Sequence, residues 1–370
     1  MIFSGHNRYQ HAPDYIILLT AVFLTVFGLI MLTSASSDLG QWKFGDSYFY
    51  LKHQLIYGFS IGLIGFWAGS KIYYRRYQNL TVPFLILALL SLVLIFTPLG
   101  VSSGSASRWL KLGPITFQPS ELLKIPFILY LASWLGNRSY RQQSFWGGFL
   151  PFLIIIGLVG TLLILQPSTS AAAILMAVAL IIYFKSGAKL SYIVYALMLG
   201  IAAFLILSYF TPYRWERIKT FFNPEVDIQS SSYQLNQARI AIGSGGLRGV
   251  GYGKSTTKIH YLPQPIDDSI FAVIAEELGF IGAAILIFIF TVLATRSFLI
   301  ARKVTDDFGQ LLLVGFGSLI AIQVFIHIGA ISGLIPLTGV PLPFVSYGGT
   351  ALAVFMTISG IIVNISKYTS

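Results

Sequence analysis

The chain has no cysteine, which excludes disulfides, thiolate metal sites and cysteine nucleophiles together. It is also poor in charge. Only 10% of its 370 residues are Asp, Glu, Lys or Arg and 55% are apolar, a balance that a water-soluble domain of this size could not carry on its surface. Acid is scarcer than base, with 13 acidic residues against 24 basic ones and a formal net charge of +11. Such a surplus would suit nucleic acid if it were gathered on one face, but the basic residues are spread over many short loops, so no nucleic-acid partner is expected. The histidines, His6, His11, His53, His260 and His327, lack metal-ligand spacing and read as loop or packing residues, so no structural metal is expected.

What is abundant is apolar sequence in nearly unbroken runs of roughly 20 residues, the length that crosses about 30 Å of hydrocarbon. The runs predict spans at 14–34, 54–70, 80–97, 120–135, 148–165, 170–184, 190–209, 270–295, 311–332 and 351–365. The expected fold is therefore an all-α integral membrane protein of about ten transmembrane helices, a single polytopic domain over residues 1–370. Ser34, Ala35 and Ser36 imitate a signal-peptide cleavage site, but the apolar stretch before them exceeds the roughly 7 to 15 residues of a signal sequence and reads as a retained span.

A cytoplasmic N-terminus places Arg8, Lys71, Arg75, Arg76, Arg138, Arg141, Lys185, Lys189, Arg296, Arg302, Lys303 and Lys367 inside, against only Lys43, Lys52, Arg108 and Lys111 in the short loops opposite. The positive-inside rule thus predicts a cytoplasmic (inner) membrane protein with both termini in the cytoplasm. Residues 210–268 then form a large extracytoplasmic loop between helices 7 and 8, carrying Arg214, Arg217, Lys219, Arg239, Arg248, Lys254 and Lys258. Long loops escape the charge rule, so these cations reflect either simple tolerance or an anionic ligand. Segments 98–116 and 333–350 close over the same side, and the three together can enclose one site.

Several constellations there can carry chemistry. Gly243, Gly245, Gly246, Gly249, Gly251 and Gly253, followed by Lys254 and Ser255, nearly spell a phosphate loop, but Arg248 stands where its first glycine is needed and no strand precedes it. Nucleotide binding is excluded, and the run reads as a packed re-entrant turn or a phosphate contact. Glu121 and Lys124, three apart, share one face of a helix near its outer end, as an internal ion pair or as part of a site. Arg108 and Lys124 together could hold a pyrophosphate. Asp267 and Asp268 open the eighth helix, as caps or with one acting as a general base, and Glu276 and Glu277 lie about two turns further in, where one could pair with a basic residue from another helix.

Taken in order, these segments resemble the SEDS family (shape, elongation, division and sporulation) of polytopic cell-wall proteins, the FtsW and RodA type. The carriers are Ser34-Ala35-Ser36, Arg108-Trp109, Gln118-Pro119-Ser120-Glu121, Tyr233-Gln234, Ala241 to Gly246, Asp268-Ser269-Ile270-Phe271, Glu276 to Gly279, and Pro336 to Thr350. The resemblance implies a peptidoglycan glycosyltransferase that joins lipid II units on the extracytoplasmic face, with growing glycan as donor and lipid II as acceptor. It implies Asp268 as catalytic base, and by position it implies substrate-binding roles for Arg108, Glu121, Lys124 and Arg217. Arg217 also reads as an interface anchor.

The resemblance further implies a class B penicillin-binding protein, a single-pass transpeptidase, as partner. It leaves room for a divalent cation, Mg²⁺ or Mn²⁺, at the pyrophosphate. Two positions depart from the family pattern: the Gln166-Pro167-Ser168 stretch has serine where many members carry aspartate, and His327 replaces a common asparagine. Ser34-Ala35-Ser36 leans towards the division type. A lipid II flippase is the alternative from a different class, but charged residues within the spans cluster near the outer ends of helices four and eight rather than along a route through the midplane. A non-catalytic scaffold leaves the outer charges unexplained.

Overall fold

A computed structural model describes residues 11–103, 106–113, 115–136, 141–211, 215, 221, 231–259 and 261–369. Helix α1 (Tyr15–Phe44) is followed by α2 (Phe49–His53), a π-helical turn (Gln54–Phe59) and α3 (Ser60–Lys71) in one continuous rod, then by α4 (Thr81–Leu94). Three short strands come next, β1 (Gly100–Ser103), β2 (Ala106–Leu112) and β3 (Ile115–Phe117), paired antiparallel in chain order. The remaining helices are α5 (Pro119–Leu122), α6 (Lys124–Gly136), α7 (Leu150–Leu165), α8 (Thr169–Lys185), α9 (Leu190–Tyr209), α10 (Ser231–Ser244), α11 (Ile270–Ala301), α12 (Asp307–Ser332) and α13 (Gly349–Ser366).

Every expected span overlaps one of these helical rods, and the chain is an all-α, multi-pass membrane protein. By length and composition, seven helices among the described residues can cross a membrane, so the expected count of ten is not reached on that measure. The three rods that fall short of it are 49–71, which carries Lys52, His53, Gln54 and Lys71, 119–136, and α8 with its 17 residues. The small sheet was not anticipated, because Gly-Val-Ser-Ser shows no apolar alternation over β1.

Helix α1 starts at Asp14, whose Oδ1 accepts from the backbone N–H of Ile16 and Ile17, and stops at Gly45 in the left-handed region, φ 69°. At 1.5 Å per residue it is about 45 Å long, so it projects past the hydrocarbon and carries Trp42 and Lys43 beyond the expected end at residue 34. Small residues let α3 lie against α13: a Cβ at Gly69 would sit 3.0 Å from the Ile361 nitrogen, and one at Gly65 would overlap the Thr357 hydroxyl. Helix α12 is largely buried, whereas α9 is exposed along almost its whole length, as a lipid-facing helix is.

The termini meet at one end of the bundle, where His11 N–H donates to the Lys367 carbonyl (3.0 Å) and Arg296 pairs with Asp14 (2.7 Å). The sheet and the segments 245–269 and 333–348 gather at the other end. Helix α11 is broken there at Gly279, φ 69° and ψ −170°. The break frees backbone groups, and the glycine-rich run supplies their partners: Val250 and Gly251 N–H donate to the carbonyls of Glu276 and Glu277 (both 3.0 Å), while Phe280 and Ile281 N–H donate to Gly246 and Leu247 (2.8 and 3.2 Å). A broken membrane helix survives only when protein re-satisfies its backbone. The glycine run is therefore a packed turn, and its N–H groups at 250 and 251 are spent on protein rather than on phosphate.

Candidate active site

Both glutamates of α11 fasten the 253–258 segment. Glu276 accepts from the Ser255 hydroxyl (2.6 Å), the Thr256 N–H (3.1 Å) and the Thr257 hydroxyl. Glu277 accepts from Ser34 (2.6 Å) and pairs with Lys258 (2.8 Å), whose ammonium also donates to the Ser34 oxygen (2.9 Å). The basic partner thus comes from the loop and not from another helix, and Ser34 of α1 completes the buried cluster. Their bonds are used up in holding the loop on the helix, which fixes the entry to α11.

That entry carries the two aspartates. Ser269 occupies the N-cap position without a side-chain cap bond; its hydroxyl instead donates to the Pro263 carbonyl (2.8 Å) and accepts from Gln234 (3.1 Å). Neither acid is the capping residue. The backbone around them is held from the 333–348 segment: Ser346 donates to the Asp267 carbonyl (2.7 Å) and Tyr347 N–H to the Ile266 carbonyl (2.8 Å). Asp268 is partly buried in a crevice with Gln234, His327, Thr338 and Gly339. Asp267 lines a different cavity, and burial together with the neighbouring Asp268 pushes its carboxyl up to about 7.

Arg108, Glu121 and Lys124 line one cavity of about 360 Å³. An Arg108 Nη donates to the Pro167 carbonyl (2.6 Å), which fixes the guanidinium on the wall. The Lys124 ammonium is buried between Glu121 Oε1 (2.6 Å) and Gln323 Oε1 (2.7 Å), 5.3 Å from the centre of the Phe355 ring. The second oxygen of Glu121 is buried without a hydrogen-bond partner. Ile174, Phe204 and Ile326 give the cavity an apolar side.

The segment Leu337 to Val340 lines both this cavity and the Asp268 crevice. Two side chains hold that shared wall by its carbonyls, Ser170 donating to Thr338 (2.7 Å) and His327 Nδ1–H to Val340 (2.7 Å), and Gln323 holds the next residue by donating to the Pro341 carbonyl (2.8 Å). Three of the residues singled out in the sequence therefore share a cavity and Asp268 adjoins it. Arg217 lies outside the described residues. Sequence reasoning missed Gln323 and treated His327 as packing; a signal was present, since two polar residues four apart within an apolar span share one helix face.

The arrangement brings a carboxylate, fixed cations and an apolar wall together, the parts needed to seat an anionic headgroup with a lipid tail beside a base. Residues 14–370 match the family FTSW_RODA_SPOVE, described as cell cycle protein. The chain belongs to the FtsW/RodA/SpoVE family. It is similar to stage V sporulation protein E of Bacillus subtilis, 35% identical over 97% of this chain and 98% of the relative. It is likewise similar to a "probable peptidoglycan glycosyltransferase FtsW" of Trichlorobacter lovleyi, 38% identical over 95% and 93%. A solved chain from "Structural coordination of polymerization and crosslinking by a peptidoglycan synthase complex" shares the fold with a TM-score of 0.78, at 25% identity over 96% of this chain and 98% of that one. Among the described residues no group of three or more His, Asp or Glu side chains could hold a metal ion.

Proposed function

We propose that the chain is a peptidoglycan glycosyltransferase of the cytoplasmic membrane, both termini cytoplasmic, that polymerises lipid II into glycan strands on the extracytoplasmic face. The observation that carries this reading is the wall from Leu337 to Val340 shared by the Asp268 crevice and the Arg108–Lys124 cavity. Asp268 takes the proton from the acceptor sugar hydroxyl as that oxygen attacks the donor anomeric carbon; the bond to the lipid pyrophosphate breaks, and the configuration inverts. Charge that develops on the departing pyrophosphate is met by Arg108 and Lys124, both held in place before reaction, with Arg217 as a third cation. Glu121 positions Lys124. The apolar side of the cavity takes the start of the polyprenyl tail.

A divalent cation, Mg²⁺ or Mn²⁺, would arrive with the pyrophosphate, whose oxygens supply ligands that the described residues do not. The partner in this reading is a class B penicillin-binding protein that crosslinks the strands, and the Ser34-Ala35-Ser36 stretch favours a division role.

Orientation tests the reading, because only an outward mouth reaches sugars on the outer leaflet. The chain has no cysteine, so Lys254→Cys, at an exposed position in the same loop, gives a single label site. Reaction with an impermeant maleimide in intact cells is expected. Protection in cells with reaction in inside-out vesicles would rule the reading out.

A further inference from the structure

The two adjacent aspartates line different cavities, and of the two only Asp268 takes part in the glycosyl transfer. Asp267 lines a second and larger cavity, about 860 Å³. Its walls come from several elements: Trp42 and Lys43 from the projecting end of α1, Tyr50 from α2, Tyr261 from the loop, and Tyr347. The Tyr50 and Tyr347 rings pack edge to face at 5.2 Å, and the Tyr347 hydroxyl shares a hydrogen bond with His53 Nδ1 (2.9 Å). Trp42 and Tyr261 are 74% and 59% exposed, so their rings are available to a ligand. Oδ1 of Asp267 is buried and has no hydrogen-bond partner, an acceptor that the folded chain leaves for something else to satisfy.

The chemistry differs from that of the first cavity. There the cations are buried or fixed beside an aliphatic wall, which suits a lipid pyrophosphate. Here Lys258 is already committed to Glu277, and the cavity offers aromatic faces, an unsatisfied carboxylate oxygen and one exposed ammonium, Lys43. Aromatic faces with a few convergent polar groups recognise the C–H faces and hydroxyls of a sugar ring.

We propose that this cavity is a saccharide subsite for β-linked N-acetylhexosamine units, with Trp42 and Tyr261 stacking on the rings and Asp267 accepting from a hydroxyl or amide N–H. The proposal rests on the glycosyltransferase reading and adds a second site to it. The sugars could belong to the growing strand or to the incoming lipid II; the chemistry of recognition is the same.

The test uses the full-length chain in detergent and a lipid-free probe, tetra-N-acetylchitotetraose, with binding followed by saturation-transfer NMR. Wild type is expected to bind. Trp42→Ala, Tyr261→Ala and Asp267→Asn should each weaken binding by about tenfold or more, with Arg108→Met unchanged. Absence of binding to wild type, or equal binding by all four variants, would overturn the subsite. Size-exclusion profiles confirm that each variant is folded, and the two exposed aromatics are replaced without opening the core. Binding needs no turnover, so a chain that polymerises without binding the probe refutes the subsite alone, and one that binds without polymerising refutes the polymerase reading alone. In a polymerisation assay, shorter strands from the Trp42→Ala, Tyr261→Ala and Asp267→Asn variants at unchanged lipid II KM assign the cavity to the growing strand. A raised KM at unchanged strand length assigns it to the acceptor, and no change in either contradicts the proposal.

Discussion

Gly339 faces Asp268 so closely that a Cβ built on it would lie 3.3 Å from the carboxylate Oδ2. The glycine also has φ +65°, a left-handed backbone that costs an L side chain about 1–2 kcal/mol. Gly339→Ala therefore crowds the proposed base and strains the wall that the base shares with the cation cavity. We expect polymerisation to fall at least about tenfold, while the apparent Tm drops only by the few degrees that such strain explains. Wild-type activity in a folded Gly339→Ala protein would mean that the wall does not set the position of Asp268.

The buried pair of Lys124 and Glu121 permits a separation of structure from chemistry. Removing one partner of a buried ion pair costs about 3–5 kcal/mol because the other charge is left stranded. Lys124→Met should therefore lower folded yield sharply, and the double variant Lys124→Met with Glu121→Gln should recover it. If Lys124 meets the leaving pyrophosphate, the recovered protein remains inactive. Activity that returns with the fold would reduce Lys124 to a structural role.

A Cβ on Gly249 would overlap the Glu277 carbonyl, at the point where the glycine-rich turn plugs the break in α11. Gly249→Ala is expected to abolish monodisperse protein in detergent. Gly243→Ala, where nothing stands within 4 Å, should be recovered at wild-type yield. Comparable yields for the two would show that the turn is not what closes the broken helix.

Asp267 gives a pH signature. Its carboxyl is raised in the folded chain to about 7 from an ordinary value of 3.8, so the folded state holds the proton more tightly than the unfolded state. Ionisation then costs stability progressively between about pH 4 and 7, and the full cost remains above 7. Asp267→Asn removes that cost. Its apparent Tm should match wild type near pH 4.5 and exceed it at pH 8; a difference that does not vary with pH would argue against a desolvated carboxyl.

The helical rods and their order were legible because lipid demands long apolar runs; Glu121 and Lys124 stood out because charge at such runs is rare, whereas Asp268 and Arg108 were singled out through the family resemblance. What sequence could not supply was which bonds each charge makes. Glu276 and Glu277 have the same local context as candidate acids, yet they are spent on Ser255, Thr257, Ser34 and Lys258, partners up to 243 positions away in the chain. The glycine run was ambiguous for the same reason, since its role depends on the break at Gly279, and a single glycine in an apolar span does not announce a break. Gln323 was overlooked and His327 was read as packing because each holds a carbonyl of a segment that the sequence alone does not bring near it. The extension of α1 to Phe44 passed unnoticed, and with it the wall of the second cavity, because Ser, Asp and Gln after residue 34 end the apolar run without ending the helix.

The most direct test of Asp268 as the base is glycan synthesis by the purified chain with the proposed transpeptidase partner, lipid II, Mg²⁺ or Mn²⁺, and crosslinking blocked. Strands are resolved by length for wild type, Asp268→Ala and Asp268→Asn. Long strands from wild type, and none from either variant while both keep the wild-type elution profile, are predicted. Polymerisation by Asp268→Ala at the wild-type rate would contradict the account.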